Sequence, residues 1–392
     1  MKTAQKTVLA ICFCLSVIYG CSQDNENRAS PDTGKKDVNS LSFMSMGSFS
    51  VNHLADGYTR VRDGAGRILI LVPRGKPVPT GYKPSQVVFT PVRRVVAYSY
   101  FDVSILKALG VLKNTLTGVV NPMEDWVIPE VRQGMKQGRI AFLGGYSAID
   151  FEQLKKSRPE LVLTWDMSIL PMLDEMKIAC AITTTPVAMC LGARMKFVGF
   201  LAPFFNREKQ ARQYFNRVSS ALEDIRRTTA GSKYHPKVMW GDIYEKRVLV
   251  EPGNAWVGEL VELALSDYQF DDVFGASCIE ISLERFLYSG RDADILFTYR
   301  TPENGATSRQ ALARANPMLA GVKPLKQGRV YSPLAKYAQS GDRLDEILTD
   351  IAAILHPECY PDHKLRYFRE LPANDPPPAS EPDNKHDTGN IK

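Results

Sequence analysis

A set of residues, nearly all aromatic, stands just past apolar runs that favour β-strands. They are Tyr98, Ser99, Tyr100, Trp165, Trp240, Tyr244, Trp256, Tyr299 and Tyr337. In open α/β sheets ligands bind beyond the carboxyl ends of the strands, and aromatic side chains there suit a large planar or catechol-like ligand. Core packing explains each residue alone equally well. Trp256, after the turn at Gly253–Asn254, also suits the start of a helix.

The histidines and motifs give little support to metal chemistry or catalysis. The five histidines are His53, His235, His356, His363 and His386. They include no i, i+4 pair and no His-rich loop, so a zinc or manganese site of three or four protein ligands is not expected. The sequence has no GxSxG elbow, no P-loop and no HExxH. A nucleophilic Cys180 or Cys278 would need a positioned histidine, which the spacing neither shows nor excludes. We therefore expect neither a cofactor nor an enzyme.

Four of the seven cysteines lie well inside the chain and are widely spaced. They are Cys180, Cys190, Cys278 and Cys359, with no CxxC pair among them. An exported protein can form disulfides, but the sequence alone cannot pair these four. Buried thiols are an equally good interpretation.

Length and composition limit the class of protein. A chain of 392 residues is too long for one ordinary core, so two lobes are expected. The hydrophobic fraction of 44% and the charged fraction of 23% are typical of soluble globular proteins. The formal net charge of +6 is mild at this length, and the basic residues are scattered among acidic ones rather than gathered in a stripe. Nucleic-acid binding is therefore not expected.

The N-terminal residues have the layout of an export signal. Positive charge in MKTAQK precedes the apolar run TVLAICFCLSVIYG, which is too short for a comfortable membrane span. The sequence IYGC then resembles a bacterial lipobox, in which the cysteine is diacylated and becomes the new N-terminus. An ordinary cleaved signal peptide is the alternative. We predict a signal peptide over 1–20 and a lipidated Cys21, which begins a flexible tether over 21–42 because large apolar residues are scarce there.

Strand and helix patterns alternate through most of the chain. This alternation predicts an α/β fold whose mostly parallel sheets are covered on both faces. An N-terminal lobe is expected over 43–190, and it begins with a hairpin-like pattern around Asp63 and Gly66. The alternation restarts in a C-terminal lobe over 232–361. Residues 372–392 are polar and rich in proline, and we predict that they are disordered.

The segment between the two lobes has a different pattern. Over residues 191–231, apolar residues recur at steps of three and four, which predicts a long amphipathic helix. An interruption or kink is expected near Pro203. The predicted architecture is therefore two α/β lobes joined by a single long helix.

One helix–strand pattern occurs twice. The sequence IDFEQLKKSRPELVLTW, residues 149–165, returns in altered form as ISLERFLYSGRDADILFTY, residues 281–299. Each copy contains a glutamate, Glu152 or Glu284, in the first turn of a predicted helix, with Asp150 or Ser282 as the expected N-cap. Such a repeat is expected of two pseudo-symmetric lobes. A carboxylate in a first helical turn is stabilised by the helix dipole by about 0.3–1 kcal/mol, which explains either glutamate alone.

Several motifs in order carry a family resemblance. They are RRVVAYS leading to ILKALG, DFEQLKKSRPELVLTW, GNAWVGELVELA, ISLERFLYSGRDADILFT and SGDRLDEILTDIAAILHPE. Together they resemble the class III substrate-binding proteins of bacterial ABC importers, which serve iron–siderophores, haem and cobalamin. The resemblance covers most of residues 48–361. It implies a rigid helical hinge, a ligand in a shallow cleft between the lobes, and docking onto a membrane permease with its ATPase.

The resemblance also gives the repeated glutamates a role. In the family, glutamates at the positions that match Glu152 and Glu284 form salt bridges with permease arginines, one from each lobe. Helix capping gives no reason for both to match across the repeat, so we interpret them as docking residues.

The resemblance implies an exported, lipid-anchored monomer on the periplasmic side that captures an iron complex, either a siderophore or haem. A corrinoid is the alternative ligand, and a single His or Tyr would be enough to ligate haem iron. Arg247, Arg300 and Arg343 would suit ligand carboxylates, although a solvated surface arginine is the interpretation that we favour for each. Two other classes remain open: a surface lipoprotein that captures ligand without a permease, and an enzyme on a similar scaffold.

Overall fold

The computed structural model describes residues 49–146, 148–244 and 247–375. The predicted signal peptide, Cys21 and the predicted tether lie outside these residues. Within the described part of the chain, no helix combines the length and the apolar character needed to cross a membrane.

A four-stranded sheet opens the N-terminal lobe. Its strands are β1 (Ser50–His53), β2 (Thr59–Arg62), β3 (Ile68–Pro73) and β4 (Val87–Thr90), in that spatial order. The β2–β3 turn is the predicted hairpin: Asp63 Oδ1 accepts hydrogen bonds from the Ala65 and Arg67 N–H groups at 3.1 and 2.8 Å. Gly66 adopts φ 79° there, a conformation that side chains disfavour.

A parallel five-stranded sheet forms the centre of the N-terminal lobe. Its strands are β5 (Val95–Ala97), β6 (Leu116–Val119), β7 (Ala141–Phe142), β8 (Leu161–Thr164) and β9 (Cys180–Ile182), in the order β7-β6-β5-β8-β9. The helices of this lobe are α1 (Tyr100–Ala108), α2 (Leu112–Thr115), α3 (Pro129–Lys136), α4 (Phe151–Lys156) and α5 (Leu170–Glu175). Val96 and Leu163 are fully buried, as expected for strands covered on both faces. Because the strands are parallel, all their carboxyl ends lie at one edge.

Two helices in succession join the lobes. They are α6 (Leu191–Phe205) and α7 (Glu208–Thr229). Pro203 is buried inside α6, and the break comes three residues later at Asn206, whose left-handed φ of 54° and ψ of 53° ends α6. Asparagine tolerates this conformation better than most residues. The predicted long helix is therefore interrupted, as expected, but at Asn206 rather than at the proline.

The C-terminal lobe contains a mixed seven-stranded sheet. Its strands are β10 (Lys237–Tyr244), β11 (Arg247–Val250), β12 (Asp267–Tyr268), β13 (Ile279–Ile281), β14 (Ile295–Phe297), β15 (Val330–Pro333) and β16 (Phe368–Glu370). The order is β13-β11-β10-β14-β15-β16, with β12 paired to β10. Strands β10, β12, β14 and β15 are parallel to one another, β11 and β16 run antiparallel to them, and β13 pairs antiparallel with β11. The helices are α8 (Trp256–Leu263), α9 (Leu283–Asp292), α10 (Arg309–Ala315), α11 (Lys323–Gln327) and α12 (Leu344–Leu355). The predicted two-lobe α/β class is confirmed.

The C-terminal lobe extends beyond the predicted boundary at residue 361. Strand β16 pairs with β15, and the buried Asp350 carboxylate accepts hydrogen bonds from the Arg366 and Tyr367 N–H groups at 2.7 Å each. Further along, Asp375 accepts hydrogen bonds from the Thr307 and Ser308 hydroxyls at 2.7 Å each. Residues 372–375 therefore belong to the fold rather than to the predicted disordered tail, and 376–392 lie outside the described residues.

The repeated sequence pattern forms the same structural unit in both lobes. Helix α4 leads into β8, and helix α9 leads into β14. Asp150 caps α4 by accepting from the Gln153 N–H at 2.9 Å, and Ser282 caps α9 by accepting from the Arg285 N–H at 3.1 Å. Both predicted caps are confirmed.

The lobes and the linking helices share one continuous hydrophobic core. Helix α1 packs against residues 341–343 of the C-terminal lobe so closely that a β-carbon on Gly341 would lie 2.4 Å from Ser104 Oγ. From α7, the Tyr214 hydroxyl donates to the Gly341 carbonyl at 2.8 Å, and Arg217 pairs with Asp345 at 3.0 Å. The N-terminal lobe thus contacts the C-terminal lobe directly through α1, and the linking helix α7 is fastened to the C-terminal lobe as well.

Candidate functional site

The segments that follow the carboxyl ends of the two sheets meet between the lobes, and we call the region where they meet the crevice. The segment that follows β6 is hydrogen-bonded to the segment that follows β15: Gln339 Oε1 accepts from the Val127 N–H at 2.9 Å, and Gln339 Nε2 donates to the Asp125 carbonyl at 2.7 Å. Beside them, α1, which follows β5, forms a 3.3 Å ion pair between Lys107 and Asp342. Ligands bind at this edge in open α/β sheets.

Aromatic side chains form the N-terminal rim of the crevice. Tyr146 and Trp165 follow β7 and β8, and their ring centroids are 5.6 Å apart. They are 42% and 41% exposed, so a ligand can reach both rings. Asn121, after β6, holds the Tyr146 hydroxyl through its side-chain amide at 2.8 and 3.0 Å. The rim thus offers two accessible rings in a fixed orientation.

Tyr100 lies deeper, in the first turn of α1. Its ring meets the buried Trp126 ring edge-on, with centroids 4.9 Å apart and planes at 79°. Burial and the neighbouring Asp125 carboxylate raise the pKa of Tyr100 above its ordinary value. Its hydroxyl is therefore a neutral donor at physiological pH.

The rim of the C-terminal lobe combines an aromatic ring with a guanidinium group. Tyr244 ends β10 and is 50% exposed, and Arg300, which follows β14, lies over its ring at 4.8 Å. Arg300 Nε donates to the buried Asp242 carboxylate at 3.0 Å, and its terminal nitrogen donates to the Ile243 carbonyl at 2.6 Å. Thr298 also donates to Asp242. Arg300 is thus a fixed, mostly buried cation rather than the solvated surface arginine that we favoured.

The other two candidate arginines do form surface ion pairs. Arg247 pairs with Glu280 at 2.8 Å, with both side chains exposed. Arg343 pairs with Glu346 at 3.4 Å. Neither needs a ligand to explain its position.

The floor of the crevice is polar. Glu251, after β11, accepts a weak hydrogen bond from the Cys278 thiol at 3.6 Å. Burial raises the pKa of Glu251 against the opposing effects of Cys278, Arg194 and Tyr299. Burial and the nearby Glu251 charge raise the pKa of Cys278 to about 11 and also raise that of Tyr299. Glu251 and Tyr299 are half-buried and Cys278 is exposed, so this polar group can be reached from the solvent.

Two further predicted residues reach this floor. The Trp256 ring, at the start of α8, lies 4.7 Å from the Arg194 guanidinium. Tyr337, half-buried, packs against Phe368 with centroids 5.0 Å apart, and Arg194 and Glu251 both act on its ionisation. Both therefore stay in the set that we propose below for ligand binding.

Three predicted residues have other positions. Tyr98 is buried in the core of the N-terminal lobe, and its hydroxyl has no hydrogen-bond partner among the described residues. Ser99 caps α1 by accepting from the Asp102 N–H at 2.9 Å. Trp240 lies in the middle of β10, where its ring stacks on Phe297 at 4.3 Å. They support the crevice from behind, so we leave them out of the proposed contact set.

The repeated glutamates occupy matching positions on the two lobes. Both Glu152 and Glu284 are exposed in the first turns of α4 and α9, and no ion pair of either side chain occurs in the described part of the chain. Each helix runs antiparallel to the strand that follows it, so its first turn lies at the crevice edge. The two carboxylates therefore occupy equivalent positions on the two lobes.

The described cysteines and histidines form no metal centre. No group of three or more His, Cys, Asp or Glu side chains suited to a metal ion occurs within residues 49–146, 148–244 and 247–375. Cys180, Cys278 and Cys359 are thiols rather than disulfides. Cys190 begins α6, where its sulfur accepts from the Ala193 N–H at 3.5 Å.

Cavities of about 440 and 460 Å³ lie at the opposite end of the N-terminal lobe. Both lie near Pro159 and Ile178, at the amino ends of β8 and β9, and the first also opens beside Phe89 of β4. We place the candidate site in the crevice instead, because strand carboxyl ends and convergent polar groups meet there.

Sequence reasoning missed several residues of the crevice. Asn121, Tyr146, Arg194, Glu251 and Asp242 were not among the candidates. An acidic residue inside the apolar run VMWGDIY was a usable signal, since a buried carboxylate needs a partner such as Arg300. For Arg194 no local signal existed, because its neighbours come from both lobes.

Comparison with known proteins agrees with this architecture. The periplasmic binding protein family matches residues 95–335, so the chain belongs to that family. An uncharacterized lipoprotein of Methanocaldococcus jannaschii is 25% identical over 329 residues, which are 78% of this chain and 76% of that protein. The class III resemblance seen in the sequence is confirmed.

Two solved structures show the same fold. The periplasmic haem-binding protein RhuT of Roseiflexus sp. RS-1 is 17% identical, with a TM-score of 0.54 over 68% of this chain and 99% of that one. A periplasmic haem-binding protein of Pseudomonas aeruginosa is 18% identical, with a TM-score of 0.55 over 71% of this chain and 98% of that one. At these identities the likeness concerns the fold.

Proposed function

We propose that this protein is the solute-binding lipoprotein of an ABC importer and captures an iron complex, a siderophore or haem, between its lobes. The observation that carries the proposal is the crevice, whose two rims present accessible rings: Tyr146 and Trp165 on one side, and Tyr244 with Arg300 on the other. Rings on both rims suit a large planar or catechol-bearing ligand. Family membership supports a binding role rather than catalysis.

The contact set that we propose spans both lobes. It consists of Tyr100, Tyr146, Trp165, Tyr244, Trp256, Tyr299, Arg300 and Tyr337. Arg300 gives this set a cation, which favours an anionic ferric chelate or the propionates of haem over a corrinoid without free carboxylates.

Delivery to a permease is the second part of the proposal. Glu152 and Glu284 stand at equivalent, exposed positions beside the crevice and would pair with arginines of the permease, one from each lobe.

Anchoring is the third part. Lipid on Cys21 would hold the monomeric binding protein at the periplasmic side of the envelope, and a relative that is itself a lipoprotein supports this.

Native mass spectrometry and absorption spectra of the protein purified from its own source would identify the ligand. Titrations with hemin, a ferric tris-catecholate and cyanocobalamin would then rank the candidates. Trp165→Ala should lower the affinity for whichever of these ligands binds by about tenfold, because one stacked ring is lost. Tyr288→Ala, which removes another exposed aromatic ring, on α9 away from the crevice, is the control.

Two results would contradict the proposal. The first is that none of the three metal complexes binds and that none copurifies. The second is that Trp165→Ala and Tyr288→Ala change the affinity equally, since a specific crevice contact cannot behave like a surface ring. If cyanocobalamin binds tightly and the two iron complexes do not, the ligand is a corrinoid rather than an iron complex.

A further inference from the structure

Arg194 occupies an unusual position on the link between the lobes. Its guanidinium group lies 4.3 Å from the ring of Phe101, which belongs to α1 of the N-terminal lobe. It lies 4.7 Å from the ring of Trp256, which begins α8 of the C-terminal lobe. One cation is thus held between two aromatic rings that come from different lobes. The two rings hold the guanidinium group in place before any ligand arrives.

This cation has no acceptor among the described residues. The Arg194 side chain forms no hydrogen bond or ion pair there, and its Nε is buried without a partner. Desolvation lowers the pKa of Arg194, although the guanidinium stays charged at physiological pH. A guanidinium carries five N–H donors, and buried donors are rarely left without an acceptor. The rings alone do not satisfy them.

Other unsatisfied groups surround the same point. Tyr337 is the neighbour that acts most strongly on the Arg194 charge, and Glu251 acts on it as well without forming an ion pair. The Tyr299 hydroxyl, next to Glu251, is buried without a hydrogen-bond partner. The floor of the crevice therefore presents a desolvated guanidinium and phenolic donors to the space between the lobes.

We propose that Arg194 is the anion-binding group of the crevice floor and takes a carboxylate of the bound ligand. This inference rests on the proposed function and narrows its ligand to metal complexes or porphyrins with a free acidic group. The guanidinium edge would accept the carboxylate as a pair of parallel N–H···O bonds, with a phenol of Tyr299 or Tyr337 as a further donor. Arg300 at the rim would contact a different part of the ligand.

Protonation of Glu251 should be coupled to ligand binding at Arg194. The Glu251 carboxylate lies 3.6 Å from the Cys278 sulfur before β13, and the Glu251 carbonyl accepts from the Tyr268 hydroxyl of β12 at 2.7 Å. Arg194 from α6, Tyr299 after β14 and Tyr337 after β15 interact with Glu251 electrostatically. A ligand carboxylate on Arg194 adds a negative charge near Glu251, whose pKa burial has already raised. The pKa of Glu251 therefore rises further on binding, and a proton is taken up. The affinity for an anionic ligand should thus increase as the pH falls through the range above the ordinary carboxyl pKa.

The alternative role for Arg194 is purely structural, as a cation that ties the two lobes together through its rings. Arg194→Met keeps much of the volume and removes the charge, and Arg194→Lys keeps the charge without the planar fork. A structural tie would affect every ligand alike. An anion site would affect only ligands with a free acid.

The test compares hemin with its dimethyl ester, which lacks free carboxylates, on the full mature chain. Hemin should bind Arg194→Met at least about tenfold more weakly than the unchanged protein, because a charge-assisted bond is lost. The ester should bind both proteins equally. Glu251→Gln should bind hemin more tightly at neutral pH and should abolish the pH dependence. Citrate, measured by calorimetry at matched ionic strength, probes the floor without metal or porphyrin.

Each outcome decides one of the two proposals. Equal hemin binding by Arg194→Met and the unchanged protein would overturn the anion site. If Arg194→Met loses the same affinity for hemin and for the ester, Arg194 is a structural tie between the lobes. If Arg194→Met does not fold, Arg194→Lys takes its place in the comparison. If porphyrins fail to bind but citrate binds only when Arg194 is present, the haem ligand is refuted and the anion site stands. If citrate, hemin and the ester all fail to bind, the anion site is refuted.

Discussion

Gln339 of the C-terminal lobe holds Val127 of the N-terminal lobe by a hydrogen bond of 2.9 Å between its side-chain oxygen and the Val127 N–H. The other end of the same amide donates to the Asp125 carbonyl at 2.7 Å. Between these two anchors lies Trp126, whose buried ring supports Tyr100 at the crevice. A residue of one lobe thus fixes the backbone beneath an aromatic side chain of the other.

Removing this amide should loosen the loop after β6. Gln339→Leu leaves the Val127 donor and the Asp125 acceptor without their partner, and should lower the free energy of unfolding by about 1–2 kcal/mol. Hydrogen exchange at Val127 should accelerate. Gln339→Glu, which keeps the acceptor for Val127 but loses the donor to Asp125, should preserve that protection at neutral pH. Unchanged exchange in Gln339→Leu would show that the amide does not hold the loop.

The lobes should move little when ligand binds. Helices α6 and α7, the close contact at Gly341 and the Gln339 amide all fasten them together. Small-angle scattering profiles of the protein with and without a bound ligand, hemin being the first to try, should nearly superimpose. A large compaction on binding would contradict a fastened pair of lobes.

Asp102 should make the protein less stable as the pH rises. It is fully buried in α1, and burial raises its pKa from 3.8 to about 6, against the hydrogen bonds from Ser99 and Thr183. Between pH 3.8 and about 6, the folded state therefore keeps a proton on Asp102 that the unfolded state has lost. Its contribution is present below pH 4 and is lost as the pH rises through about 6, a change of about 3 kcal/mol at most.

Asp102→Asn separates the titration of Asp102 from the pH dependence that other groups give to the stability. The variant should be as stable as the unchanged protein near pH 4 and more stable near pH 8 by chemical denaturation. Asp294→Asn is the control of opposite sign, because hydrogen bonds from Lys237 and Lys323 lower the pKa of Asp294 against the effect of burial. Its stabilisation is lost as the pH falls. An Asp102→Asn variant that is less stable at every pH would contradict the argument.

Much of the fold could be predicted because its signals are local. The hydrophobic period, the caps at Asp150 and Ser282 and the repeated helix–strand unit are all written in neighbouring residues. Strands β12 and β16, of two and three residues, were missed because their partner strands, not their own sequences, make them strands. For the same reason, the predicted end of the C-terminal lobe at residue 361 came too early.

The site was less predictable than the fold. The sequence places a residue after an apolar run but does not give the depth at which it lies. The sequence predicts that Trp240 follows a strand, yet β10 continues to Tyr244, so Trp240 pairs with Phe297 inside the sheet. Arg194 depends on Phe101 and Trp256, which only the packing of the lobes brings together.

The anchoring proposal predicts a simple fractionation result. Cys21→Ser removes the acyl acceptor at the lipobox-like sequence, and the remaining apolar run is too short to anchor well. The mature variant should leave the membrane fraction and appear in the soluble fraction. A variant that stays fully membrane-associated would contradict lipidation at Cys21.

The two repeated glutamates should matter for transport and not for ligand binding. Glu152→Gln and Glu284→Gln keep the shape and the hydrogen-bonding capacity of the side chain and remove its charge. Each should lower the free energy of unfolding by about 1 kcal/mol or less, the size of the helix-dipole effect at an exposed first turn. Ligand affinity should stay unchanged, because neither carboxylate reaches the crevice contacts. Uptake, or ATP hydrolysis stimulated by the binding protein, should fall sharply, because an arginine of the permease would lose its partner.

Glu175→Gln is the matched control for this experiment. Glu175 is also an exposed helical glutamate, but it ends α5 at the opposite edge of the N-terminal lobe, so its loss should not affect transport. Replacing both Glu152 and Glu284 by Lys should be worse than either Gln change, because the new cations would repel the facing arginines. If both Gln variants transport normally while losing stability or ligand affinity, the glutamates are helix caps or ligand contacts. Docking at the two lobes would then have to use other residues.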